Sequence, residues 1–158
     1  MSVSSILFVC LGNICRSPAA DGVMRKKAEE AGLDIKIDSA GIGAWHVGQL
    51  PDARMRQCGR KRGYDFSHRA RQVSAQDFEQ FDIIMGMDSQ NLHDLQKAAP
   101  TAEARSRIRL MADYLAAHKG QQSFPDPYYG DESDFEFALD LIEDASDEII
   151  KLVKKGMI

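Results

Sequence analysis

With 158 residues, 44% of them hydrophobic, and no low-complexity run, the chain can bury one substantial core and is read as a single domain over residues 1–158. Its 20 Lys and Arg against 24 Asp and Glu give a net charge of -4, which argues against a nucleic-acid binder. The apolar start at Ile6 is interrupted by Gly12, Asn13 and Arg16 too soon for a signal peptide or membrane span, so a cytoplasmic protein without membrane association is expected.

The elements alternate between strand and helix. Ile6 to Val9 reads as a buried strand, and Val23, Met24, Ala28 and Ala31 then recur at helical spacing until Gly32. A second strand is predicted over Ile35 to Asp38. Pro51-Asp52 opens a helix with Met55 and Cys58 on one face, closed by Gly63, and Ser74 to Phe81 reads as a short capped helix. Asp82 to Gly86 is an apolar third strand, and Asp88 caps a helix running through Leu92 and Leu95. A fourth strand is placed around Arg107 to Met111, although Met111 onward suits a helix equally. In the last helix Ser133 and Glu136 are read as a capping box, Ala138, Leu141, Ile142, Ala145, Ile149 and Val153 form the apolar stripe, and lysines end it. This order predicts an α/β fold: a four-stranded parallel sheet with helices on both faces and a phosphate-binding loop after the first strand.

That loop is Cys10-Leu11-Gly12-Asn13-Ile14-Cys15-Arg16-Ser17, followed by Pro18. Backbone N–H groups of a short loop curling into a helix N-terminus converge on one point, where the helix dipole also favours an anion. Cys10 would end its strand at the carboxyl edge of the sheet, where ligands bind in such folds. The loop dipoles and Arg16 favour its thiolate, the nucleophilic form. Arg16 can hold two phosphoryl oxygens bidentately and keeps its charge at any working pH. Gly12 allows a tight turn and close approach to the ligand, and Ser17 can cap the helix and donate to the Cys10 sulfur. Pro18 suits the first helical position. The competing reading makes Cys10 and Cys15 small buried hydrophobes beside a surface arginine, but it leaves the Gly-Asn turn and the Ser-Pro helix start unexplained.

Three cysteines without a Cys-x-x-Cys pair, and four histidines without a metal-ligand pattern, imply no disulfide framework, no metal and no cofactor. Cys15 lies close enough to Cys10 in sequence for an oxidant to join them reversibly, or it serves packing alone; Cys58 is read as core. Arg54, Arg56, Arg60, Lys61, Arg62, Arg69 and Arg71 crowd one segment, whereas 131–148 is acidic. The basic segment is either a solvated surface or a region that attracts negatively charged phosphopeptides.

The segment Cys-Leu-Gly-Asn-Ile-Cys-Arg-Ser-Pro resembles the signature of the low-molecular-weight protein tyrosine phosphatases. Further similar stretches are Asp38-Ser39-Ala40-Gly41, Ser67-His68-Arg69-Ala70-Arg71, Asp82 to Asp88, Asp126-Pro127-Tyr128-Tyr129-Gly130 and Ser133-Asp134-Phe135-Glu136, so the likeness runs through nearly the whole chain. It implies hydrolysis of phosphotyrosine in proteins and of small aryl phosphates, with Cys10 as nucleophile and Arg16 binding phosphate. Phosphotyrosine-containing proteins are then the partners, a tyrosine kinase among the candidates; no residue selects one substrate or an oligomeric state. A departing phenol needs a proton, and the resemblance favours Asp126 as the acid over a turn-forming Asp-Pro, with Asp131 as second choice. Leu11, Ile14, Trp45, Tyr128 and Tyr129 are implied as walls of a slot for a flat ring, with partial core packing as the alternative for Trp45 and the tyrosines. Asn13, Ser39 and His68 are implied to brace the phosphate loop; taken alone, His68 is a polar loop residue. Asp21 stands where a longer glutamate is common in the family. Three other activities compete. An arsenate reductase needs further cysteines, which Ile83 to Leu95 lacks. Protein arginine phosphatases tend to carry threonine where this chain has Ile14. A non-catalytic phosphotyrosine-binding module would not need Cys10, Arg16 and Asp126 together.

Overall fold

The first strand, β1 (Ser5–Cys10), is buried along its whole length because it is flanked on both edges and covered on both faces. The computed structural model describes residues 3–158. Strands β2 (Lys36–Gly41), β3 (Ile83–Gly86) and β4 (Ile108–Leu110) join β1 in one parallel sheet of order β2-β1-β3-β4. Around it lie α1 (Arg16–Glu30), α2 (Ala53–Lys61), α3 (Asp77–Gln80), α4 (Ser89–Ala98), α5 (Ala102–Ser106) and α6 (Glu132–Lys154).

Alternation along β1 divides the core in two. Ile6, Phe8 and Cys10 pack with Val23 and Met24 of α1 and Leu139 and Ile142 of α6, whereas Leu7 and Val9 pack with Phe78, Leu95 and Ala104. Each such side chain contributes about 1.5–3 kcal/mol when fully buried. The predicted α/β sheet with both faces covered is the observed one, and no helix among the described residues is long and apolar enough to cross a membrane.

Several boundaries differ from the predicted ones. Strand β2 continues past Asp38 to Gly41, pairing Ser39 with Phe8 and Gly41 with Cys10, and so brings Ser39 beside the phosphate loop. The helix predicted from Ser74 narrows to Asp77–Gln80, because the bonds at its start run only three residues back, from the Asp77 N–H to the Ser74 carbonyl (3.1 Å) and from the Phe78 N–H to the Ala75 carbonyl (3.3 Å). The Asp77 carboxylate still accepts the Ser74 N–H (2.7 Å), as in a capping box, and holds Arg71. Strand β4 stops at Leu110 and Met111–Tyr114 is a 3-10 turn, the helical alternative. Helix α5 was not predicted; Thr101 Oγ1 caps it by accepting the Ala104 N–H at 3.0 Å.

The capping box of α6 is Asp131 with Asp134 instead of Ser133 with Glu136. Asp131 takes the N–H groups of Ser133 and Asp134, while Glu136 reaches across to Arg62. At the start of α1, Cys15 is the N-cap without a side-chain bond, so Ser17 and Pro18 lie inside the first turn and hold neither the cap nor the first position. Pro18 still costs no bond, since first-turn N–H groups lack intrahelical acceptors. Most of the basic segment faces acidic partners within the fold: Arg62 binds Glu136, Asp140 and Glu143, and Lys61 binds Glu132, fastening α2 to α6.

Candidate active site

The backbone from Leu11 to Cys15 leaves β1 and curls into α1. The left-handed residue in this turn is Asn13 (φ 58°), which replaces the expectation that Gly12 makes the turn. Asparagine tolerates that conformation better than most residues, and here its side chain reinforces it. Asn13 Nδ2 donates to Ser17 Oγ (2.8 Å) and Ser39 Oγ (3.0 Å), and its Oδ1 accepts the Arg71 N–H (3.0 Å). Gly12 matters for space, since a Cβ there would stand 3.0 Å from His46 Cδ2.

Beneath the loop the hydrogen bonds continue. Ser39 Oγ donates to Asp21 Oδ2 (3.1 Å), and His68 Nε2 lies 3.0 Å from the Ser39 carbonyl. The shorter Asp21 therefore still reaches Ser39. Asp21, Asp38 and His68 bring potential ligand atoms within 4.8 Å of one another, but Asp21 already holds Arg25 and Asp38 holds Arg71 (3.1 Å). Their arrangement satisfies a polar network below the loop.

Cys10 is buried, with Sγ 3.0 Å from Ser17 Oγ, the contact expected from the sequence. Arg16 is 2% exposed, and so large a buried cation requires partners. One terminal nitrogen donates to Asp88 Oδ2 (2.6 Å) and to the Phe124 carbonyl (2.9 Å); the other lies 3.5 Å from Asp126 Oδ2. Burial alone would make the guanidinium easier to discharge, yet the negative charges of Cys10, Asp88 and Asp126 outweigh it and hold Arg16 protonated more firmly than usual. Arg16 Nε is buried without a partner among the described residues, a donor left open on a side chain that lines the cleft.

The cleft has a volume of about 270 Å³ and is bounded by Cys10, Leu11, Gly12, Ile14, Cys15, Arg16, Trp45, His46, Asp126, Tyr128 and Tyr129. Every predicted catalytic and wall residue is in that set. Asn13, Ser17, Ser39 and His68 lie below it in the hydrogen-bonded network. Trp45 and Tyr129 are 68% and 96% exposed, so neither is a core residue. Tyr128 stands edge-on to Tyr129, with centroids 4.9 Å apart, and beneath the Arg54 guanidinium at 5.6 Å. Asp126 is half exposed and accepts the Tyr128 N–H (3.1 Å). Asp131, the second choice for the acid, is absent from the lining because it caps α6. Burial, then the charges of Asp52, Cys10 and Asp126, push the Cys15 thiol far up and keep it neutral.

Sequence reasoning missed two contributors. Asp88 was read only as a helix cap; it accepts the Asn91 N–H (2.8 Å) and also anchors Arg16 from 72 positions away, a link without a local signal. His46 lines the mouth, its ring 6.4 Å from that of Tyr128.

Comparison with known proteins matches this arrangement to one family. Residues 5–157 fit the model of the low molecular weight phosphotyrosine protein phosphatases. The low molecular weight phosphotyrosine protein phosphatase of Schizosaccharomyces pombe is 41% identical, over 94% of this chain and 96% of its own. A protein tyrosine phosphatase from Entamoeba histolytica, solved with Hepes in the active site, superposes with a TM-score of 0.94 at 40% identity, covering 98% of this chain and 99% of that one. Wzb of Vibrio vulnificus, solved in complex with benzylphosphonate, superposes with a TM-score of 0.83 at 30% identity, covering 94% and 98%. The fold and cleft define a phosphate-monoester hydrolase of the α/β class. The chain belongs to the low molecular weight phosphotyrosine protein phosphatase family and is a protein tyrosine phosphatase.

Proposed function

We propose that the chain, acting as one catalytic domain, hydrolyses phosphotyrosine monoesters of proteins through a phosphocysteine on Cys10. The observation that carries this reading is the convergence of the Cys10 sulfur, the Arg16 guanidinium and the Asp126 carboxylate on one cleft. In the first step the Cys10 thiolate attacks phosphorus, the phosphorus–phenol oxygen bond breaks, and protonated Asp126 gives its proton to the departing oxygen. Arg16, fixed by Asp88, and the loop amides hold the remaining phosphoryl oxygens as charge shifts among them. In the second step Asp126, now a carboxylate, takes a proton from water as that water attacks phosphorus. The S–P bond breaks, phosphate leaves, and the Cys10 thiolate, held by the Ser17 hydroxyl, is restored.

Trp45, Tyr128 and Tyr129 wall the mouth with rings, which suits an aromatic ester and leaves a shorter phosphoserine out of reach of the sulfur. The benzylphosphonate held by the Vibrio vulnificus relative supports an aromatic phosphate analogue as ligand. Ile14, an apolar wall residue, favours an aryl phosphate over phosphoarginine. The third cysteine, Cys58, lies in the core face of α2 and is absent from the cleft lining, which supports hydrolysis over a cysteine relay. The test is turnover of matched phosphotyrosine, phosphoarginine and phosphoserine substrates by the native chain and by Cys10→Ser. Phosphotyrosine should be strongly preferred, and Cys10→Ser should lose about 10³-fold or more in kcat while remaining folded. Substantial turnover by Cys10→Ser would end this mechanism.

A further inference from the structure

The basic residues between 54 and 71 differ in what they face. Arg54 pairs with Asp52, Lys61 with Glu132, Arg62 with three carboxylates of α6, and Arg71 with Asp38 and Asp77. Among the described residues Arg56, Arg60 and Arg69 pair with no carboxylate. Arg56 donates to the Pro51 carbonyl (2.9 Å) and Arg69 to the Gly48 carbonyl (2.8 Å), neutral acceptors that leave both charges uncompensated.

These three cations flank one route across the surface. Arg56 and Arg60, four apart on α2, share a face and border a depression of about 160 Å³ with Leu50, Asp65 and Phe66. Asp65, the carboxylate of that depression, is in an ion pair with neither. The segment 45–50 runs from the catalytic cleft, lined by Trp45, to this depression, lined by Leu50, and Arg69 is fastened at Gly48 between them. Along it Trp45, Val47 and Leu50 are all exposed large apolar side chains.

We propose that this track docks an acidic segment of the protein substrate that flanks the phosphotyrosine. The inference rests on the phosphatase reading above and adds the substrate class. Uncompensated cations beside exposed apolar groups, continuous with the cleft, complement a chain carrying both carboxylates and apolar side chains. Residues 45–48 are turned, so the span from Trp45 to Leu50 is less than the about 17 Å of an extended chain, and an extended peptide crosses it in at most about five residues. Acidic residues up to about five positions from the phosphotyrosine are therefore the ones that reach Arg56 and Arg60.

The test uses synthetic phosphotyrosine peptides that differ only in carrying Asp and Glu or Asn and Gln at those positions, on either side. Two quantities are read: kcat/KM, and Kd by fluorescence anisotropy in a Cys10→Ser background, where hydrolysis is blocked. At low salt the native surface should favour the acidic peptide about tenfold. Arg56→Gln with Arg60→Gln should cut that preference at least about threefold, mainly through KM and Kd, and leave hydrolysis of a small aryl phosphate unchanged. Lys97→Gln with Arg105→Gln, which removes equal charge from α4 and α5, should preserve the preference. An unmodified chain without the preference, or a double variant that retains it, overturns the inference. So does a double variant that loses only binding to phosphatidylserine vesicles, which would assign the patch to a membrane. Failure of the native chain to hydrolyse a small aryl phosphate would defeat the phosphatase reading instead, while the Kd ratio decides the docking surface separately.

Discussion

The floor and the rim of the cleft are built on opposite principles. Cys10, Asn13, Arg16, Ser17 and Ser39 are each no more than 3% exposed and are joined by short hydrogen bonds, whereas Trp45 and Tyr129 stand in solvent and Asp126 is half exposed, 3.5 Å from Arg16. The floor must present its sulfur and cation in one arrangement, so its groups are bound before any substrate arrives. The rim must admit different proteins and let a proton and a phenol leave. Fixed geometry serves the first task, and loosely bonded side chains serve the second.

Three substitutions sharpen this contrast. The largest effect belongs to the one rim residue assigned a chemical step. Asp126→Asn should lower kcat about 10²-fold on a phenyl phosphate. The loss should shrink on a nitrophenyl phosphate, whose leaving oxygen needs less protonation, and a deficit equal on both esters would remove Asp126 as the acid. In the floor, Asn13→Ala strips three hydrogen bonds from a buried residue held at positive φ. It should cost about 2–3 kcal/mol of stability by denaturant titration and lower kcat/KM at the same time. Stability unchanged within error would show that the loop does not depend on that side chain. The smallest effect is expected at Tyr129, which is 96% exposed. Tyr129→Ala should change stability by less than about 0.5 kcal/mol and raise KM a few-fold with kcat held; a collapse of kcat would move Tyr129 from selection into the chemical step.

What could be read beforehand follows the same division. Cys10 to Pro18 is contiguous, and its residue types imply a strand, a turn and a helix start by local chemistry, so Cys10, Arg16 and the Ser17 contact to the sulfur were legible, whereas the bracing by Asn13 and Ser39 was implied by the family resemblance alone. The Asp88–Arg16 bond was not, because its partners are 72 positions apart and Asp88 already had a sufficient local explanation as a cap. Asp131 displaced Ser133 as the α6 cap for a related reason: two acceptable caps lie two residues apart, and Glu136, needed for the predicted box, is drawn to Arg62 by a contact from another element. The basic run looked like free surface until α6 was folded against it. Helix α5 is too short for its apolar spacing to stand out, and its cap alone marks it.

The central place of β1 in the sheet also bears on how activity would fail. Strands in mid-sheet exchange their amide hydrogens through global opening, while edges and termini open locally at far lower free energy. Phe8, Val9 and Cys10 pair with β2 on one side, and Phe8 and Val9 also pair with β3 on the other. Warming or mild denaturant should therefore loosen the rim, and with it both substrate discrimination and proton delivery by Asp126, before it disturbs the sulfur, leaving at the threshold of unfolding a nucleophile that still takes esters with good leaving groups.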